Sequence, residues 1–339
     1  MIKNYLKIAW RNLLKNKAFS FINIFGLSIG IAVCFIIMLF VQDELSYDRF
    51  NKNADRIVRI YFKASMNGGK IIEAGVMPPV AKALKSDYPE IEDVTRFRGD
   101  GRPKIEYQHK IFKEANAAFA DPNFFSVFSF HFLKGDPKTA LAQPNTIVLT
   151  DEVAQRYFGN EDPIGKTLTY NNNWQFKVTG VIEKTPSNAH FHFDMLSSME
   201  TIDFAKNDTW LEGNFYTYIL MKQNADYKKL EAKLPGMVEK YMGPQIAQAM
   251  GMSLSQFRNK KNDLGFALQP LTAIHLHPET TTEVEPAGNI KYVYIFGAIA
   301  IFMLLIASIN FINLSTAGAS KRAKEVGVRK VMGSGKWDL

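Results

Sequence analysis

The sequence predicts an α+β extracytoplasmic domain held between two transmembrane α-helices. Three observations carry this. Phe19–Val41 and Tyr292–Ser320 are uncharged runs near the two ends of a 339-residue chain, each longer than the roughly 20 apolar residues that cross a hydrocarbon core about 30 Å thick. The formal net charge of +8 is confined to the flanks of these runs. Between them, strand-like and helix-like segments alternate in an order that repeats.

Charge sets the orientation. Residues 1–18 hold Lys3, Lys7, Arg11, Lys15 and Lys17 and no acid, and residues 321–339 hold Lys321, Arg322, Lys324, Arg329, Lys330 and Lys336 against Glu325 and Asp338. Removing these eleven bases and two acids from totals of 41 and 33 leaves 30 and 31, a net of −1 for the middle of the chain. The positive-inside rule then places both termini in the cytoplasm and residues 42–290 on the far side. The pI near 9.2 is therefore no sign of nucleic-acid binding, because the globular part has no basic excess to offer phosphates.

The first span is too long for the 7–15-residue apolar region of a signal peptide, and Phe40-Val41-Gln42-Asp43 lacks a small-residue cleavage pattern. It reads as a retained anchor. Bulky Val33 before Cys34 does not fit a lipoprotein cysteine, and Cys34 is the sole cysteine, so the outer domain has no disulfide and relies on its core. Ahead of the span, Ile2, Tyr5, Leu6, Ala9, Trp10, Leu13 and Leu14 recur at helical spacing beside Lys3, Lys7, Arg11 and Lys15. That pattern predicts a basic amphipathic helix lying on the inner leaflet.

In the middle, Arg56–Phe62 reads as a strand, Pro79–Tyr88 as a helix and Val94–Arg98 as a strand; Asn214–Lys222, Tyr227–Met242 and Leu264–Leu271 repeat that order. Two strand–helix–strand units predict a ferredoxin-like split βαβ lobe over about 45–99 and 213–285. Residues from about 100 to 212 form an inserted α+β lobe. There, Asp121–Ser129 opens on an Asp-Pro helix start, and Thr150 or Asp151 caps a helix through Tyr157 that Gly159 ends. Leu168–Tyr170 and Gln175–Ile182 form a hairpin across Asn171-Asn172-Asn173. The organisation is thus an amphipathic helix (1–18), a span (19–41), the outer domain (42–290), a second span (291–320) and a cytoplasmic segment (321–339).

Catalytic and cofactor motifs are missing: there is no G-x-S-x-G, H-E-x-x-H or cysteine cluster. Gly333-Ser334-Gly335-Lys336 mimics the end of a phosphate-binding loop, but Lys330 stands where its first glycine belongs and Trp337 replaces Ser/Thr. His190-Phe191-His192 and His275-Leu276-His277 would each put two imidazoles on one strand face, a geometry open to metal, yet no carboxylate motif joins them. Asp194, Glu200 and Asp203 are scattered and read as surface. The expectation is a non-enzyme with no cofactor and no metal.

The spans carry more information. Gly26 and Gly30 form a G-x-x-x-G with Ser28 beside it, a surface that lets a second helix approach closely. Asn310 and Asn313 share one face of the second span, and Ala317, Gly318 and Ala319 follow. These are packing residues of a multi-helix assembly.

Past the second span, Lys321-Arg322-Ala323-Lys324-Glu325-Val326-Gly327-Val328-Arg329-Lys330-Val331-Met332-Gly333 resembles the E-x-G-x-R-x-x-x-G segment of ABC transporter permeases of the MacB/FtsX family. Asp43–Asp48 with Ala54–Ile57 is similar to the start of that family's periplasmic core domain. So are Tyr157-Phe158-Gly159 with Asp162–Lys166, and Val178–Ile182, while Asn310–Ser315 resembles the family's second helix. The matches run through nearly the whole chain in family order.

The resemblance implies a bacterial inner-membrane permease working as a dimer or pseudo-dimer with a partner ATPase. It implies a mechanotransmitter that couples ATP hydrolysis to periplasmic movement, in contact with lipid and with a periplasmic adaptor or substrate protein. Glu325, Gly327, Arg329 and Gly333 would form the coupling element on the ATPase, the glycines permitting tight turns. Family members have further spans, so the chain ending at Leu339 is expected to be an N-terminal piece of a longer permease. The alternative is a two-span sensor with a ligand-binding domain, which needs a larger cytoplasmic region than the residues after the second span.

Overall fold

The computed structural model describes residue 11 and residues 17–66, 68–108, 110–113 and 116–333. The amphipathic segment expected at residues 1–18 lies almost wholly outside them. The chain divides into two compact units, the terminal helices and Ser46–Asn289.

The first unit is an antiparallel helix pair. Helix α1, Lys17–Leu45, contains the uncharged run of the first span and no proline. The second helix, at the other end of the chain, meets it through pairs that descend as α1 ascends. Gly26 lies against Asn310, Gly30 against Ala307, and Phe40 packs edge-on to Phe296 with ring centroids 5.3 Å apart. Both helices are long and apolar enough to cross a membrane, over Ser20–Leu45 and Ile290–Asn313.

The second unit is built on one sheet. From its start run β1 (Ile57–Met66), β2 (Gly69–Glu73), helix α2 (Val80–Asp87) and β3 (Ile91–Gly101). The inserted stretch supplies β4 (Lys104–Tyr107), β5 (Lys110–Lys113), β6 (Ala117–Ala120), α3 (Phe124–Val127), β7 (Phe132–Gly135) and β8 (Thr146–Thr150). It continues with α4 (Asp151–Phe158), β9 (Thr167–Tyr170), β10 (Trp174–Ile182) and β11 (Met195–Ser198). The chain then returns through β12 (Tyr216–Met221), four short helices α5 (Tyr227–Glu231), α6 (Leu234–Met237), α7 (Gly243–Met250) and α8 (Leu254–Asn259), and β13 (Asp263–Pro270), before α9 (Ile290–Val331).

The described strands form a 13-stranded sheet in the order β13-β1-β12-β3-β6-β11-β8-β10-β9-β4-β5, with β2 on β1 and β7 on β10. The first four are antiparallel to their neighbours throughout. The inserted strands do not form a separate sheet, because β3 is long enough to pair with β12 along Ile91–Phe97 and with β6 along Phe97–Gly101.

Alternation explains why both faces are covered. In β12, Ile219 and Met221 enter a core shared with Val80, Leu84, Leu230, Leu234 and Phe257 from the helices. Tyr218 and Leu220 point the other way, into an aromatic core around Phe97, Phe124, Phe128 and Phe191. A third core, with Phe119, Ile147, Val153, Leu168 and Phe176, fills the inserted part. Burying apolar surface on each side is the dominant favourable contribution, at about 25 cal/mol per Å².

Two expectations need correction. The single helix expected over Tyr227–Met242 is broken at a turn over 232–233, because Pro235 opens a new helical segment, which then passes through a π-helical turn, Val238–Met242. Proline has no N–H to continue a ladder, yet Leu230, Leu234, Met237, Val238 and Met242 keep one buried stripe. The histidine pairs do not lie on strands either. Residues 190–192 follow Pro186 and a turn at 187–188, and residues 275–277 form a turn after β13.

Gly213 shows how tightly the loop before β12 passes its neighbour. A Cβ there would lie 2.4 Å from the Met77 Cα and the Val76 carbonyl oxygen. Gly213→Ala is expected to destabilise the protein by about 3 kcal/mol through overpacking, read as a fall in Tm, whereas Gly99→Ala, which meets open space, leaves Tm almost unchanged.

Candidate functional site

The strand–helix architecture leaves a polar cluster on the aromatic face of β1. Arg59, wholly buried, faces the same side as Ile57 and pairs in register with Tyr218. A guanidinium cannot give up its proton and is costly to bury without an anion. Its anion is Glu283, from the exit strap of residues 274–289 that leads to α9. Arg59 donates to Glu283 through both terminal nitrogens and to Gln269 Oε1 at 2.7 Å. The Gln269 amide donates in turn to the His277 carbonyl at 2.6 Å.

The entry strap, residues 46–56, is fastened to the same place. Asp48, buried and with φ of 61°, accepts from the His190 backbone N–H at 3.2 Å and from its Nδ1–H at 2.8 Å. The Tyr218 hydroxyl lies 2.7 Å from His190 Nε2. The Asp48 N–H donates to the Asn188 carbonyl at 2.8 Å, and the Asn188 amide donates to Ser46 Oγ at 2.9 Å. Tyr47 stacks flat on His275, tying the two straps together. On the exit strap, Glu285 accepts from the His192 N–H at 2.7 Å and meets Nδ1 at 2.8 Å. A cavity of about 30 Å³ lies among Tyr47, His190, His275, Glu283 and Glu285, room for about one water.

The charges are mutually dependent. Burial alone would push the Glu283 carboxyl up, but the hydrogen bond and charge of Arg59 outweigh it and hold it below the ordinary carboxylate value. Glu285 is likewise pushed up by burial and brought below its ordinary value by His192. Burial pushes the Tyr218 hydroxyl far up, so it stays protonated and able to donate.

Larger clefts exist on this unit, of about 440 and 420 Å³, sharing Pro79, Lys82 and Asp208. Their other cations are largely engaged: Arg96 with Asp121, Lys85 with Asp93, Lys240 with Asp87. Among the described residues no His, Cys, Asp or Glu group could hold a metal ion. The four histidines expected as two pairs part company, His190 to Asp48 and His192 to Glu285.

The helix unit holds the other residues singled out by sequence. A Cβ on Gly26 would come 3.3 Å from Asn310 Nδ2, and one on Gly30 would come 3.0 Å from the Ala307 Cβ. Cys34 Sγ lies 3.2 Å from the Ala300 carbonyl on the same seam. Asn313 is exposed, away from that seam. Glu325, Gly327 and Arg329 lie within α9, which runs unbroken to Val331. The tight turn expected at Gly327 is therefore absent: glycine costs about 1 kcal/mol inside a helix, and the 42-residue α9 runs through it. Gly333, with φ of 93°, is where the chain turns. Beside these residues Val328, Val331 and Met332 are 59%, 89% and 82% exposed and share one helical face.

Residues 20–236 match the MacB-like periplasmic core domain and residues 297–339 the FtsX-like permease C-terminal domain. The chain belongs to the MacB/FtsX family of ABC transporter permeases. It is 22% identical to the ABC transporter permease YvrN of Bacillus subtilis (strain 168), over 97% of this chain and 79% of that one. It is 24% identical to the macrolide export ATP-binding/permease protein MacB of Aggregatibacter actinomycetemcomitans, over 67% of this chain and 31% of that one. A crystallised domain of a Porphyromonas gingivalis permease protein superposes with a TM-score of 0.56 at 19% identity, covering 72% of this chain and 98% of that domain. The likeness confirms a mixed α+β outer domain. MacB/FtsX permeases are membrane proteins that work with an ABC ATPase, and the family match extends through the helix carrying Glu325 and Arg329.

Two outcomes test this geometry. Glu283→Gln leaves a buried guanidinium without its anion and is expected to cost about 3–5 kcal/mol; Arg59→Met with Glu283→Leu recovers much of the lost Tm. In the permease's helix pair, cysteines at Gly26 and Asn310 in a Cys34→Ser background are expected to cross-link under mild oxidation. Adding Gly30→Leu lowers that yield severalfold by forcing the helices apart.

Proposed function

We propose that this chain is the permease component that couples ATP hydrolysis by a partner ATPase to movement of its own periplasmic domain. The observation that carries the reading is the double fastening of Ser46–Asn289: the straps that follow α1 and precede α9 end in one buried polar cluster. Both straps are tied to the domain, through Asp48–His190 and Glu283–Arg59, which supports transmission of a displacement from either span. This is the arrangement a mechanotransmitter needs, and no catalytic group is required of it.

Orientation follows from the charged flanks, with both helix ends outside the domain cytoplasmic and the domain periplasmic, in the bacterial inner membrane. Glu325, Gly327, Arg329 and Gly333 form the coupling element. An unbroken α9 supports this role, because a helix of 42 residues is about 63 Å long and extends well beyond a 30 Å core. The exposed Val328, Val331 and Met332 give the ATPase an apolar contact beside those charges. The order β13-β1-β12-β3, with helices joining β1 to β3 and β12 to β13, supports a ferredoxin-like split βαβ base carrying the insertion. Asn313, off the α1 seam, serves another helix of a dimer or of further spans, with lipid around the rest. Drug, peptide and lipoprotein export or release all fit this reading, with a periplasmic adaptor as a further partner.

In the full-length protein paired with its ATPase, Glu325→Ala with Arg329→Ala is expected to reduce permease-stimulated ATP turnover by roughly tenfold or more, the scale of losing a buried charged contact, while membrane insertion stays normal. Unchanged coupling in the double variant would remove the assigned role. An impermeant thiol reagent should label a cysteine at Asp151 in intact spheroplasts; protection until lysis would overturn the topology.

A further inference from the structure

His192 has an arrangement its neighbour lacks. Its Nδ1 lies 2.8 Å from Glu285 Oε2, and its Nε2 lies 2.9 Å from the Pro186 carbonyl oxygen. A carboxylate and a carbonyl are both acceptors with no proton to give. Each ring nitrogen must therefore donate, and the ring carries two protons and a positive charge. At His190, by contrast, Nε2 meets the Tyr218 hydroxyl at 2.7 Å, a group able to donate as well as accept.

We propose that the His192 imidazolium is a pH-controlled clamp that holds the exit strap of the periplasmic domain against the 186–193 loop. The clamp is placed for that task. Glu285 lies on the strap a few residues before α9 begins at Ile290, while Pro186 and His192 belong to the loop that also fastens the entry strap through Asn188 and His190. Half-exposure makes it responsive: the His192 and Glu285 side chains are 26% and 34% exposed, whereas His190 and Asp48 are 3% and 2%.

The groups facing His192 come from each packed element. Glu285 stands on the strap, with Glu283 beside it held by Arg59 of β1. Asp48 comes from the entry strap and the Pro186 carbonyl from its own loop; His190, which acts on Glu285, is bonded to Tyr218 of β12. The hydrogen bond to Glu285 is the largest influence and raises the His192 pKa; burial lowers it in part, and the charge of Glu285, the Pro186 carbonyl and Asp48 raise it further. The net direction is up.

The sign follows from linkage. A histidine with a raised folded-state pKa contributes fully below its ordinary value, and the contribution is lost as pH rises through the raised one. The Glu285 carboxyl, depressed in the folded state, contributes above its ordinary value and loses that as pH falls through the depressed one. The clamp is therefore tight from mildly acidic to neutral conditions and weakens toward alkaline pH. Loss of the proton leaves one ring nitrogen facing an acceptor: the neutral ring can keep Nδ1–H on Glu285, whose other oxygen still accepts the His192 N–H, but the tie to the strap loses its charge.

The clamp rests on geometry; its consequence for transport rests on the permease reading. Histidine-selective nitrogen-15 labelling of the whole chain in lipid nanodiscs reads the first directly. With His192 assigned by loss of its signals in His192→Gln, both ring nitrogens should resonate as protonated at about pH 7 and titrate together above the ordinary histidine value of about 6.5. A ring with one unprotonated nitrogen at neutral pH overturns the clamp. Limited proteolysis of the exit strap gives the second reading. Cleavage should rise roughly tenfold between about pH 6.5 and pH 9, the scale of losing a charge-assisted hydrogen bond. His192→Arg, charged throughout, should stay protected at the higher pH, and His192→Gln should be cut at both. Wild-type cleavage that ignores pH refutes the proposal. If the ring titrates and the strap loosens as stated, yet ATP turnover with the partner ATPase does not follow the same pH, the clamp stands and the permease reading of the strap falls.

Discussion

A guanidinium in the middle of a sheet face governs this molecule. Arg59 sits on a strand whose other side is sealed by helices, so its charge faces the aromatic core and needs an anion there. Glu283 meets that need, and in doing so fixes the path of the strap that leads to the second span. Buried ion pairs add little net stability compared with apolar packing, but every conformation that parts them is heavily penalised. The pair therefore specifies where the strap lies more than it strengthens the fold.

The entry strap obeys the same logic with different chemistry. Asp48 adopts a left-handed backbone conformation that side-chain-bearing residues occupy at a cost. Its carboxylate and N–H both find partners in the 188–190 loop. Asn51, also buried, bonds back to the Asp48 carbonyl and accepts from the Ser129 N–H. Entry and exit thus converge on one loop and one strand, although they are separated by more than two hundred residues of sequence.

The spans and the α+β alternation were legible because they are local patterns. Long uncharged runs, flanking lysines and the aromatic and β-branched run of β12 are each continuous in sequence. Pro235 was equally visible, but the buried stripe of Leu230, Leu234 and Met237 outweighed it and hid the break. The polar cluster was illegible for a different reason. His190 and His192, two apart, resemble a strand pair sharing a ligand, while their actual partners, Asp48, Tyr218 and Glu285, lie far away in the chain. Arg59 within the apolar run Ile57–Phe62 was the one signal available. A charge in a strand with both faces covered demands a distant counter-charge, and that demand pointed to a cluster without naming its members. Gly327 misled in the opposite sense: it looks like a turn residue, but α9 runs straight through it.

Helix α9 contains no proline from Ile290 to Val331. About 36 Å of it spans the apolar window and about 27 Å continues past Asn313. A rod of that kind is a lever. Rocking it by about 10° around the bilayer midplane would swing its inner tip sideways by about 8 Å, while its outer end, pivoting on the shorter arm, would travel less than half as far. Under the proposed coupling, a large stroke at the Val331 end would become a small, forceful one at the Ile290 end.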